Sequence, residues 1–183
     1  MSCIDSHLRA QLLRTARDAI AADLFGAPAA PPREPELPWP PAAGVFVTLR
    51  KGEQLRGCIG TFEPGADFGH TLRSIAVSAA HDPRFVERPI SAGELRELRI
   101  EVSVLSPLRR IANPLEFELG RDGIYVRRGH RAGCFLPDVA VERGWSHETF
   151  LSECCAQKAG LDPLAWQDPE TEVLVFQVEK VKE

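Results

Sequence analysis

No stretch of this chain approaches the ~18 to 20 consecutive apolar residues that a membrane-spanning helix requires, so no bilayer anchor is expected. Met1–His7 contains no basic segment followed by an apolar one, which predicts no secretory leader. Strong charge of either sign is also missing: 22 Lys and Arg stand against 26 Asp and Glu, a net charge of -4. Such a chain has no global field drawing it to DNA or to anionic lipid. The Gly-x-Gly-x-x-Gly turn and the phosphate-loop lysine are both absent, so no nucleotide cofactor is predicted. There is no Cys-x-x-Cys or His-x-His pair, and His147-Glu148 has Leu151 where a zinc-protease helix needs its second histidine. No metal site and no cofactor are therefore predicted. The five cysteines are an odd number. Cys154 and Cys155 are adjacent, so on a helix they diverge by roughly 100° and read as packing residues. This usage predicts free thiols in a cytoplasmic setting.

What is present reads as one domain over 1–183, with 44% hydrophobic and 26% charged residues. Ile4, Leu8, Leu12, Ala16, Ile20 and Leu24 recur every fourth position, predicting an amphipathic helix over 5–25. Seven prolines among residues 26–44 make that segment an extended linker. Val45–Leu49 and Leu55–Thr61 form a predicted hairpin about Gly52. Asp67 caps a helix that must stop at His81-Asp82-Pro83, because the residue before proline avoids helical backbone. Ser91-Ala92-Gly93-Glu94 has capping-box spacing, and Leu98–Leu105 alternates as a strand. The second half repeats this grammar: strand Gly123–Arg128, strand Gly133–Leu136 ended by Pro137, a helix capped by Ser146 and stopped by Gly160, and strand Glu172–Val181. Trp145 and Trp166 read as core anchors.

The repetition extends to residue types. Arg50-Lys51-Gly52 followed by Gly57-Cys58-Ile59 matches Arg127-Arg128-Gly129 followed by Gly133-Cys134-Phe135, with one residue fewer between. An internal duplication follows, repeat one over 45–106 and repeat two over 115–183. Helices segregated between antiparallel pairs indicate an α+β fold of two strand-hairpin, helix, strand repeats. Only the first hairpin carries an arginine two residues before its cysteine; Ala132 fills the matching place in the second.

Leu55-Arg56-Gly57-Cys58-Ile59-Gly60 holds the chemistry. On a regular strand Arg56 and Cys58 share one face and Leu55, Gly57 and Ile59 the other. A nearby guanidinium favours the thiolate, the nucleophilic form of cysteine. Cys58 and Arg56 are therefore the candidate catalytic pair, with packing of a small buried cysteine as the plainer alternative. Gly57 and Gly60 allow a backbone or ligand to approach closely. Asp82 and Arg84 offer a carboxylate and a second guanidinium, or a salt bridge bracing a helix end. Glu101, on the polar side of its strand, is a further candidate binding residue, and His81 reads as an exposed helix-end residue.

The hexapeptide resembles the signature of the AMMECR family, and four segments agree in order. They are Ala79–Phe85, Ile100–Leu105, Phe135–Ala140, and Phe150-Leu151 leading to Lys158–Leu161. The resemblance implies a two-repeat α+β fold with one mostly antiparallel, barrel-like sheet. It also implies a kinship with protein A of a three-part system that includes a MEMO-type protein and a radical SAM enzyme. An RNA or nucleotide ligand is implied, but no established reaction. Three readings follow: an enzyme or enzyme subunit using Cys58 and Arg56 on an anionic or electrophilic substrate, a binding module in which Arg56 and Arg84 hold a carboxylate or phosphate, and an adaptor docking one of those partners.

Overall fold

The computed structural model describes residues 4–26, 38–62, 65 and 67–183. Most of the proline-rich segment lies outside the described residues. The chain divides into two compact units, Met1–Leu105 with Glu179–Glu183, and Ser106–Val178.

In the first unit, α1 (Ser6–Leu24) starts where the Asp5 carboxylate accepts the Leu8 amide at 2.8 Å. Its fourfold apolar spacing buries Leu8, Leu12, Ala16 and Ile20, each large side chain contributing about 1.5–3 kcal/mol. β1 (Gly44–Lys51) and β2 (Gln54–Phe62) form the predicted hairpin. α2 (Phe68–Ala80) is capped by Asp67, accepting from the His70 amide. Asp82 then opens a 3-10 turn over Pro83–Phe85. β3 (Leu98–Leu105) pairs antiparallel with the other side of β1. Val45, Val47, Leu49, Ile100 and Val102 turn to one face and join α1 and α2 in a single core. Alternation therefore leaves Phe46, Thr48 and Arg50 of β1, with Arg99, Glu101 and Ser103 of β3, on the opposite face.

The second unit repeats the order. β4 (Arg109–Arg110) and β5 (Asp122–Arg128) both pair with β7 (Glu172–Lys182), and β5 pairs with β6 (Arg131–Phe135) in an antiparallel hairpin. Pro137 does more than end β6: it is the first residue of α3 (Pro137–Arg143), where its missing N–H costs nothing. α4 (His147–Glu153) is capped by Ser146 and widens into a π-helical turn over Cys154–Ala159. Gly160 ends it at φ 63°. Phe135 stacks on Phe150 at 5.7 Å, and Cys154, Cys155 and Trp166 lie in this core, with Trp145 packed against it. The fold is α+β with antiparallel pairing, each unit carrying a hairpin, helix and strand.

Both hairpins pack a glycine against helical backbone, the first against α2 and the second against the π-helical turn after α4. A Cβ on Gly57 would lie 1.9 Å from the Ala79 carbonyl oxygen, and one on Gly133 would lie 2.4 Å from the Lys158 carbonyl carbon. The matching glycines of the two copies thus each admit a helix backbone where a Cβ would clash.

Candidate functional site

The β1–β2 ladder is regular from Gly44–Phe62 to Leu49–Gly57, and then Arg50 pairs with Leu55. Arg56 is the additional residue of a β-bulge. The second hairpin has no such insertion: Arg127 pairs with Ala132, so Ala132 corresponds to Leu55, and Arg56 has no counterpart. The simple alternation expected for the hexapeptide fails at this point. Gly57 and Ile59 face the core side with their partners Leu49 and Val47, whereas Leu55 falls opposite Arg50 on the other face. The bulge also breaks the i, i+2 relation that would have set Arg56 beside Cys58.

Arg56 turns into the protein instead, its side chain 6% exposed. Its guanidinium makes a two-point contact with Glu94, Nε to Oε1 at 2.8 Å and Nη2 to Oε2 at 3.2 Å. It also donates to the Arg88 carbonyl at 3.0 Å and the Pro89 carbonyl at 3.4 Å. The hydrogen bonds from Arg56 hold the Glu94 carboxyl below its ordinary value. Glu94 is consequently unavailable for a capping box. Ser91 makes no side-chain cap, and the expected short helix is one 3-10 turn, Ala92–Glu94. Arg56 braces the loop that follows α2.

Cys58 is half-buried and lies opposite Thr48, with Sγ 3.3 Å from the Thr48 hydroxyl. Its backbone N–H and C=O both face off the outer edge of β2. The Cys58 amide donates to Asp82 Oδ2 at 2.9 Å, and Arg84 Nη2 donates to the Cys58 carbonyl at 2.9 Å. With both groups turned outward, Cys58 and Thr48 form a non-hydrogen-bonded pair, the closer of the two antiparallel spacings. That spacing brings sulfur and hydroxyl together. Asp82 is fully buried and Arg84 58% exposed; their ion pair closes at 2.6 Å. Arg84 Nε and the Arg84 amide each add a hydrogen bond to Asp82 Oδ1 at 3.0 Å. The Arg84 guanidinium, with the amides of Cys58 and Arg84, holds the Asp82 carboxyl far below the usual carboxylate range despite its burial.

Glu101 lies opposite Thr48 on the other side of β1, giving a row of Cys58, Thr48 and Glu101 across three strands. Glu101 meets Lys182 at 3.0 Å and accepts from Ser103 at 3.5 Å. Gly60 is next along the same face as Cys58, and the Phe46 ring occupies the space its side chain would fill, 2.0 Å from a built Cβ. The structure thus places Cys58, Gly60 and Glu101 on one face of the sheet, with Asp82 and Arg84 on the adjoining edge. Gly57 serves the contact with α2, and Arg56 is engaged elsewhere. His81, 59% exposed, bonds Asp23 at 2.6 Å on α1, clear of these contacts.

Thr48 is the residue that sequence reasoning missed; its signal was the pairing register, which the extra residue at Arg56 obscures. Among the other described thiols, burial pushes Cys134 up to about 11 and raises Cys154 and Cys155 as well. No cluster of three metal-ligating side chains occurs among the described residues, and no described helix is long and apolar enough to cross a membrane.

The AMMECR1 family model matches residues 13–181. The chain belongs to the AMMECR1 family. A Methanopyrus kandleri protein is 42% identical over 181 residues, covering 94% of this chain and 86% of that protein. A Thermococcus gammatolerans protein is 41% identical over 186 residues, covering 94% and 88%. The crystal structure of an uncharacterised protein from Pyrococcus horikoshii superposes with a TM-score of 0.75 at 39% identity, covering 94% of this chain and 89% of that one. These relatives bring no established activity to the family.

Proposed function

We propose that this AMMECR1-family protein acts through Cys58 as a nucleophilic thiol on a small electrophilic substrate. In this reading it is a subunit of a modification system with a MEMO-type protein and a radical SAM enzyme. The supporting observation is the setting of Cys58. It is a half-buried thiol on a strand whose backbone is pinned on its outer edge by Asp82 and Arg84, with the Thr48 hydroxyl 3.3 Å from the sulfur. Rigid placement of a nucleophile next to a hydrogen-bonding group is what covalent catalysis requires. Sγ forms the new bond to the electrophilic carbon and the leaving group departs with its bonding pair. The thiol proton leaves through the Thr48 hydroxyl to solvent. Arg84, rather than Arg56, is the cation of this site. The partner proteins and an RNA- or nucleotide-related substrate rest on the family resemblance alone.

The test is alkylation of the folded protein with iodoacetamide, mapped by peptide mass spectrometry. Cys58 should be labelled well ahead of Cys154 and Cys155, which should react only on unfolding. A Cys58 as protected as Cys154 would overturn the nucleophile, leaving the binding or adaptor role for the same face.

A further inference from the structure

The face that carries Cys58 also carries a pair of arginines that the fold does not neutralise. Arg50 of β1 and Arg99 of β3 are direct cross-strand partners, and both are exposed. They lie two residues along from Thr48 and Glu101 in the same register, hence on the same side of the sheet, one row from the thiol. Like charges directly opposite one another oppose strand pairing. Among the described residues neither has a carboxylate partner; the Arg50 guanidinium donates only to the Glu53 carbonyl, at 3.1 Å. Arg56 and Arg84, by contrast, are each paired to an acid. The acids two residues to either side of Arg99 are also committed, Glu97 to Lys51 and Glu101 to Lys182.

We infer that Arg50 and Arg99 form the anion-recognition site of the Cys58 face, taking the carboxylate or phosphate group of a small substrate whose reactive carbon lies at the sulfur. The arginine row lies two residues along the strands from the thiol row, with Arg50 one strand and Arg99 two strands over from Cys58. Their backbones are therefore ~8 and ~12 Å from Cys58, distances that an arginine side chain and a small acid or phosphate ester together span. Guanidinium groups present the planar donors that bind such oxyanions at two points. The inference rests on the Cys58 reading for its reactive carbon, and on the arginines alone for its anion.

Two reagents that differ only in charge test it. Iodoacetate and iodoacetamide alkylate the same sulfur with loss of iodide, and only the first carries a carboxylate. Relative to glutathione, the ratio of the iodoacetate rate to the iodoacetamide rate at Cys58 should be raised. Two unit charges at these distances predict about twofold at 0.1 M salt and more at low ionic strength. Arg50→Gln and Arg99→Gln should each lower the ratio, and inorganic phosphate should slow iodoacetate more than iodoacetamide. Thermal melting of both variants checks that they fold. A ratio equal to that of glutathione, unmoved by either substitution, would overturn the inference while leaving the thiol reading intact. Silence toward both reagents would instead sink the thiol reading. The arginines would then be judged by line broadening of inorganic phosphate in 31P NMR: broadening lost in Arg50→Gln and Arg99→Gln supports them, and no broadening refutes them.

Discussion

Glu94→Gln isolates the brace that Arg56 provides. The substitution keeps the side-chain shape and one acceptor but removes the charge facing a guanidinium that is 6% exposed. Removing one member of a buried ion pair costs about 3–5 kcal/mol. Glu94 retains 15% exposure, through which water offsets part of that cost, so about 2–3 kcal/mol is expected. For a chain of 183 residues this corresponds to a fall in melting temperature of roughly 5–10 °C. The pH dependence supplies the sharper signature. Arg56 lowers the folded-state value of Glu94, so its contribution is complete above the unfolded value near ~4.3 and is lost as pH falls through the depressed folded value. Glutamine has no such titration. The gap between wild type and variant, measured by urea unfolding, is therefore widest near neutral pH and narrows below about pH 4. Asp82 titrates in both proteins and cancels from the difference. A gap below about 0.5 kcal/mol at pH 7, the size of an ordinary surface change, or one that stays constant down to pH 3, would refute the reasoning.

Gly57→Ala places a methyl group 1.9 Å from the Ala79 carbonyl. It should cost more than the roughly 1–3 kcal/mol of ordinary overpacking, read by thermal melting; a neutral result would mean the hairpin can withdraw from α2. Asp82→Asn removes the ionised acceptor of the Cys58 amide and the partner of Arg84. It should destabilise the fold by about 2–3 kcal/mol, with amide exchange at Cys58 accelerating more than at Val47; equal acceleration would make the loss global.

The elements that capping and alternation control were legible in the sequence. Asp67 and Ser146 cap the helices expected of them, the residues before Pro83 end α2, and Leu98–Leu105 buries its apolar face. The matching hairpins and their closely packed glycines were visible as an echo of residue types. The candidate site was less legible because it depends on counting across a turn. The one-residue difference between the hairpins was in plain view, but its meaning was not. It inserts Arg56 as a bulge, removes it from the face of Cys58, and sends its guanidinium to an acid 38 residues away. Thr48 is an ordinary strand threonine until that register is known. Asp82 and Arg84 were read as either site or brace; in the structure they form an ion pair that also holds the Cys58 backbone.

The outward-facing amide and carbonyl of Cys58 have a consequence beyond chemistry. An unpaired strand edge is a template on which another chain can add itself, and proteins guard such edges with charge. Asp82 and Arg84 occupy the middle of that edge with a fixed pair of opposite charges, a place where a foreign strand would need its own backbone. The guarding of this edge and the seating of the thiol therefore draw on the same two side chains, so that removing Asp82 or Arg84 both loosens Cys58 and uncovers the strand edge.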